Sequence, residues 1–193
     1  MLIRDADPHR DAAACATIYA PSVAAGVASL EERAPEPREF VDRIRIIQRT
    51  HPWLVAEIDD AVVGYAYASR HRERASYRWS ADVTVYVAAE QHRRGIGRAL
   101  YEALFPLLAR QGLYEACAGI TLPNDASVGL HESLGFQPVG VYRNIAYKLG
   151  SWRSVGWWQK TLRDHLDDGT PPGELGPPVR LGPGLTRPPG APA

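Results

Sequence analysis

A run of β-branched and aromatic residues, Val83-Thr84-Val85-Tyr86-Val87, leads into His92-Arg93-Arg94-Gly95-Ile96-Gly97-Arg98. Those residue types in that order can hold an anion. The basic turn opens an amphipathic stretch of helical period, so backbone N–H groups at a helix N-terminus would face the ligand. Gly95 and Gly97 let the backbone come close to a bulky phosphate. Arg93, Arg94 and Arg98 add charge and forked donors. The chemistry implied is capture of a phosphorylated small molecule.

Two common phosphate loops do not fit. No Gly-x-x-x-x-Gly-Lys-Ser/Thr stretch is present. The dinucleotide fingerprint needs a third glycine where Leu100 stands.

The pattern instead resembles the pyrophosphate loop of the GNAT superfamily of acetyl-CoA-dependent N-acetyltransferases, with His92 where that family usually has Gln or Arg. A second block supports the resemblance: Asn124, Ser127, His131 and Gly135-Phe136 stand at the spacing of the family's following strand end and helix. Further matches are Tyr77-x-Trp79, Thr84-Val85-Tyr86-Val87 and Gly150-x-Trp152-x-x-Val155-Gly156-x-Trp158-Gln159. Together these resemble the phosphinothricin acetyltransferase branch over residues 1–162.

The resemblance implies a fold, a co-substrate and a set of roles. The fold is α/β with a mixed sheet, the central strands splayed and flanked by helices. Acetyl-CoA would lie with its pyrophosphate on Arg93, Arg94, Gly95, Ile96, Gly97 and Arg98. Its pantetheine arm would pair with the backbone of Val85, Tyr86 and Val87, as an added strand does, with Asn124 near the arm. The acceptor amine must lose a proton before attack, and two residues compete for that work. Asp82 stands where the phosphinothricin enzymes carry Glu, and His131 matches a His of that branch. Arg74 and Tyr77 match positions that bind an acidic acceptor. Acceptors suggested by the resemblance are phosphinothricin and methionine sulfone or sulfoximine. Two rivals stay open: acetylation of a peptide or protein amine, and a non-catalytic acyl-CoA sensor. Members of the branch are commonly homodimers.

Composition sets bounds. With 193 residues the chain suggests one domain. Lys plus Arg and Asp plus Glu are both 22, for zero formal charge. That balance gives no reason to expect nucleic acid or an acidic membrane as partner. Cys15 and Cys117 sit among apolar residues and read as buried thiols. His and Cys show no metal-ligand spacing, so no metal is expected. No long apolar run or signal peptide is evident, and a soluble cytoplasmic protein is expected.

The elements that position these residues follow from period and punctuation. Leu2–Arg4 reads as a strand and Asp11–Tyr19 as a helix. Residues 20–35 read as a loop, whose 20–32 portion would cap the acceptor. Pro37 opens a helix to about Arg49. Trp53–Ile58 and Ala61–Ser69 are strands joined by Asp59-Asp60. Further strands are expected at 81–87, 115–122, 139–149 and 155–162, and helices at 96–111 and 126–134. Parallel pairing is expected only around the phosphate helix. Half of the 16 prolines and six of the 17 glycines fall after residue 163. Residues 163–193 are therefore expected to be a flexible tail.

Overall fold

The computed structural model describes residues 1–165, 169–182 and 185–186. Its elements run β1 (Leu2–Asp5), α1 (Pro8–Ala24), α2 (Pro37–Ile47), β2 (Trp53–Ile58), β3 (Ala61–Arg70), β4 (Ser80–Val87), α3 (Ile96–Gln111), β5 (Glu115–Leu122), α4 (Asp125–Ser133), β6 (Gln137–Lys148), β7 (Ser151–Thr161) and β8 (Leu185–Thr186). Among the described residues the strands form one sheet in the order β6-β7-β5-β4-β3-β2-β1-β8. Only β4 and β5, joined by α3, pair in parallel, as the sequence leads one to expect.

The helix starts have local causes. Asp7 caps α1, accepting from His9 N and Arg10 N ahead of a proline at the first turn. Glu36 and Glu39 form a reciprocal capping box on α2. α1 is longer than its expected Asp11–Tyr19 because Val23, one turn beyond Tyr19, is also buried, and Pro21 is carried inside the helix.

Two apolar layers cover the two faces of the sheet. Leu100, Leu104, Leu107 and Leu108 of α3 pack with Leu54, Ala66, Val83 and Ala118. On the opposite face Cys15, Tyr19 and Val23 of α1 and Phe40 and Ile44 of α2 pack on Trp53, Val55 and Tyr65. Strand alternation follows. Val83, Val85 and Val87 belong to the α3 layer. Asp82, Thr84 and Tyr86 are on the α1–α2 side, where Tyr86 meets Tyr19 edge-on at 4.9 Å.

A buried ionic cluster ties β1, α1 and β2 together. Arg4 donates to both oxygens of Asp11, at 2.7 and 2.8 Å, and to Glu57 Oε2 at 2.7 Å. Asp11 is fully buried and also accepts from Asp7 N at 2.7 Å.

The described part of the C-terminal segment lies on the body of the protein. Leu175, Val179 and Leu181 pack against the α3 layer. Gly176 N donates to Gln111 O at 2.8 Å, Trp79 Nε1 to Gly173 O at 2.8 Å, and Leu181 N to Asp5 Oδ2 at 3.0 Å. β8 pairs antiparallel with β1. Isolated apolar residues among the prolines, together with these three hydrogen bonds to the body, dock the segment. The rest of the expected tail lies outside the described residues. No helix among the described residues is long and apolar enough to cross a membrane.

This segment closes a cavity of about 460 Å³ lined by His51, Arg70, Arg78, Gln111 and residues 175–178. His51 is 6% exposed. Burial, with Arg70 nearby, pushes its imidazole from 6.5 down to about 4. The folded state thus holds His51 neutral while the unfolded chain protonates it, so its stability contribution is complete above pH 6.5 and is lost as pH falls toward 4. Between pH 7 and 5 the loss from this group is expected to be about 2 kcal/mol. Urea denaturation at the two pH values measures it, and His51→Gln should shrink the difference.

A candidate acetyl-transfer site between two parting strands

β4 and β5 are paired only through Ser80↔Glu115, Ala81↔Ala116 and Asp82↔Cys117. Beyond Asp82 the strands part, while β4 keeps its pairing to β3 as far as Val87↔Gly64. The stretch Val83–Val87 therefore presents backbone N–H and C=O groups without a β5 partner. A cavity of about 280 Å³ fills the gap, walled by Val83–Val87 on one side and Ala118–Thr121 on the other. Asn124, Ser127, Tyr101 and His131 line it as well, and Ser22 of α1 and Ala28 of the α1–α2 connection meet it.

A second cavity, of about 700 Å³, lies between the first turns of α3 and α4. Arg93, Gly95, Ile96, Gly97 and Arg98 line it, and it shares Val85, Val87, His92 and Ser127 with the first. The loop is built from its residues upward. Gly95 is the N-cap of α3 at φ +76°, with no side-chain cap on the helix. The first-turn N–H groups are thus left for a ligand. Arg93 also has positive φ, +62°. His92 Nε2 donates to Val87 O at 2.9 Å and ties the loop to the end of β4. Arg94 donates to Gln91 Oε1, and Arg98 to Ser133 Oγ at 2.7 Å. A Cβ on Gly97 would stand 3.2 Å from Leu130 Cδ2, so the glycine sets how closely α4 approaches.

Gly95→Ala is expected to cost about 1–2 kcal/mol of loop strain, because a side chain disfavours the left-handed region. No atom lies within 4 Å of the added Cβ. The protein should therefore stay folded and show the loss as weaker binding of a coenzyme A thioester, read by calorimetry.

At the apex of the gap, Asp82 Oδ1 accepts from His71 Nδ1 at 2.6 Å. Burial raises the Asp82 carboxyl above its usual range, and the His71 hydrogen bond works against that rise. Donor atoms of His71, Asp82 and Cys117 lie within 4.8 Å of one another. Burial pushes the Cys117 thiol up to about 12, so it stays protonated near neutrality. Trp157 and Tyr77 meet the His71 ring edge-on at 5.8 and 5.9 Å. The Arg72 guanidinium lies 5.3 Å above Trp157.

His131 has a different setting. It is 4% exposed on α4. Its Nδ1 donates to Ser127 O at 2.7 Å, and Nε2 accepts from Tyr101 OH at 3.1 Å. Burial lowers its pKa and keeps the ring neutral. Both ring nitrogens are engaged within the protein.

Asn124 is the N-cap of α4, its Oδ1 accepting from Ser127 N at 3.2 Å. Arg74 is exposed at the start of the short 3₁₀ turn Ala75–Tyr77. Tyr77 is 44% exposed and its ring adjoins His71. Of the residues singled out from the sequence, the structure brings Val85–Val87, Arg93, Gly95–Arg98 and Asn124 to two adjoining cavities with His131, and Asp82 to the apex of the gap, whereas Arg94 is exposed, bonded to Gln91, and lines neither cavity.

Residues 23–136 match the acetyltransferase (GNAT) family. The chain belongs to that family. A phosphinothricin N-acetyltransferase of Streptomyces viridochromogenes is 43% identical over 124 residues, which are 64% of this chain and 68% of that one. An L-methionine sulfoximine/L-methionine sulfone acetyltransferase of Salmonella typhimurium is 33% identical over 60% of this chain and 67% of its own. Among solved structures, a GNAT superfamily phosphinothricin acetyltransferase of Sinorhizobium meliloti in complex with AcCoA superposes with a TM-score of 0.84. It is 32% identical, covering 93% of this chain and 97% of that chain. The present chain is thus an N-acetyltransferase with the GNAT fold.

Sequence reasoning passed over His71, Arg72 and Tyr101 in this GNAT acetyltransferase. His71 stands in the charged stretch Arg70-His71-Arg72-Glu73-Arg74, and only the register Ser69↔Asp82 brings that stretch beside the β4 carboxylate. The single available signal was an imidazole just past a strand whose neighbour carries a lone Asp.

Proposed function

We propose that this acetyltransferase moves the acetyl group of acetyl-CoA to the amino group of a small amino acid or analogue, of the phosphinothricin or methionine sulfone and sulfoximine type. One observation carries the reading. Two adjoining cavities lead from an uncapped helix N-terminus along the opened sheet toward the point where β4 and β5 part, the point at which the half-buried Asp82 makes the last pair. An anion-terminated thioester fits that path. Its pyrophosphate takes the free N–H groups at Gly95–Arg98, with charge from Arg93, Arg94 and Arg98. Its arm lies along the open backbone of Val85, Tyr86 and Val87, with Asn124 on the far wall.

Asp82 marks the amine end of the path. His131 fixes Tyr101 across the cavity. Arg74 and Tyr77 lie on the β3–β4 connection that also carries His71, and are assigned to the acid group of the acceptor. In this reading residues 1–162 carry the whole machinery.

The acceptor is small because the α1–α2 connection is tied down over the gap. Lys148 Nζ donates to Ser29 O at 2.6 Å, and Ser29 Oγ and Tyr19 OH are 2.6 Å apart. Glu31 is gripped by both Arg43 nitrogens, at 2.7 and 2.9 Å. Such a cover disfavours a peptide lying across the site. Acceptor-dependent release of CoA thiol tests the proposal. The expected result is turnover with small acidic amino acids and none with short peptides; turnover with peptides alone would move the protein to the rival class.

A homodimer belongs to the same proposal. Val139, Val141, Tyr142, Ile145 and Tyr147 of β6 and Trp152 of β7 are about half or more exposed, a row of large apolar side chains of the kind found at protein interfaces. Sedimentation of the full chain should give twice the 21.2 kDa chain mass.

A further inference from the structure

We propose that His71 is the catalytic residue that accepts the acceptor amine's proton, with Asp82 as its positioning residue, so that the base is a His–Asp dyad and not a carboxylate alone. The proposal rests on the reading of the site as an amine acetyltransferase.

Geometry carries it. The 2.6 Å contact puts His71 Nδ1–H on a carboxylate oxygen that only accepts. The ring is thereby held in the tautomer whose Nε2 carries a lone pair. Among the described residues no hydrogen bond occupies Nε2. Tyr77 and Trp157 fix the ring plane from two sides, so the nitrogen is aimed and not free to swing. The side chain is 15% exposed, shielded yet open to a small molecule. Trp157 also rests on Gly119, which lines the gap, and a Cβ there would come within 3.2 Å of the indole. The dyad thus adjoins the apex where β4 and β5 part. His131, the other candidate base, has neither ring nitrogen free.

The chemistry favours an imidazole. A chain N-terminal amine of pKa about 8 is already roughly nine-tenths ammonium at pH 7, and a free amino acid, with its own carboxylate beside the amine, is more so. Passing that proton to an ordinary carboxylate is uphill by more than about 10⁴, and to an ordinary imidazole by more than about 30-fold. In the step proposed, the ammonium gives one proton to His71 Nε2, which releases it to solvent. The freed amine lone pair forms the N–C bond at the thioester carbonyl carbon, and the C–S bond breaks. The second proton leaves the new amide nitrogen and ends on the departing thiolate sulfur. Beyond Asp82, the titratable or charged groups near the ring are Cys117 on β5 and Tyr77 and Arg72 on the β3–β4 connection.

The test is the pH profile of acceptor kcat/KM for wild type, His71→Gln and Asp82→Asn, with acetyl-CoA affinity measured on each. At pH 7, His71→Gln is expected to lose about 10²- to 10³-fold. Near pH 10.5, where most of the amine is already free, the deficit should shrink to about tenfold or less. Acetyl-CoA affinity should hold, which also shows that the variant is folded. Asp82→Asn should lower kcat and keep an acid limb, because an imidazole remains. Wild-type rates in His71→Gln, or a deficit of equal size at both pH values, would overturn the dyad alone. A wild-type enzyme that releases no thiol with any small amine would instead overturn the reading on which the dyad rests.

Discussion

Asp82→Ala is expected to lower kcat by about 10²–10⁴ while moving the KM for acetyl-CoA by no more than about twofold. That is about 3–5 kcal/mol of barrier from one carboxylate. The asymmetry follows from the layout of the cleft. Asp82 stands where β4 and β5 last pair, whereas the coenzyme's anionic end is assigned to the first turn of α3. Removing Asp82 leaves that turn intact. A double variant carrying His71→Gln as well should lose little more than either single change, because the two side chains act as one unit across their 2.6 Å contact. Additive losses would separate them. Steady-state kinetics on four proteins decides the matter.

The largest expected effect on stability lies elsewhere. Arg4→Met is expected to destabilise the fold by about 3–5 kcal/mol, a large share of the roughly 5–15 kcal/mol that holds a domain together. Asp11 is fully buried and takes its charge compensation from the two Arg4 nitrogens, at 2.7 and 2.8 Å. Glu57 has a second partner, Arg10, at 2.8 Å, and suffers less. Once Arg4 is gone, Asp11 keeps one backbone N–H, from Asp7, and one longer ion pair, to the half-exposed Arg10 at 4.0 Å. The cost is therefore that of stranding a carboxylate in an apolar layer, beyond what a lost surface ion pair would cost. Arg4→Met combined with Asp11→Leu should recover most of the loss, since burying neither charge is better than burying one. Urea denaturation at pH 7 measures both variants.

The two predictions draw on parts of the molecule that differ in how openly the chain announces them. The anion loop is local. The role proposed for it rests on the backbone of Gly95 to Arg98, and the two glycines, the arginines and the strand before them are adjacent in sequence. The caps of α1 and α2 are equally local, as Asp7-Pro8 and Glu36-Pro37 declare. The His71–Asp82 contact is not. It spans eleven residues and depends on the β3–β4 register that sets Ser69 opposite Asp82. A slip of one residue would carry Asp82 to the other face. His131 shows the converse. Its spacing from Asn124 is legible, yet its role depends on Tyr101, thirty residues away on another helix, whose hydroxyl occupies Nε2. The C-terminal segment departs from its composition for a similar reason. Proline and glycine set a low tendency to order, but Leu175, Val179 and Leu181 find a formed surface to sit on.

The parted strands have a consequence for the apo protein as a mechanical object. β1–β4 and β5–β7 form two plates, riveted by three residue pairs and by α3. Apart from the two-pair edge contact of β8 on β1, the other neighbouring strands are zipped over longer runs, as in the eight pairs between β5 and β7. The seam is thus the weakest line across the molecule, and the cheapest opening of the native state runs along it. A pantetheine arm laid on Val83–Val87 would act as the missing stitch. Ligand occupancy and rigidity of the sheet are then one property, and cellular coenzyme A thioester levels set how often the two plates breathe apart.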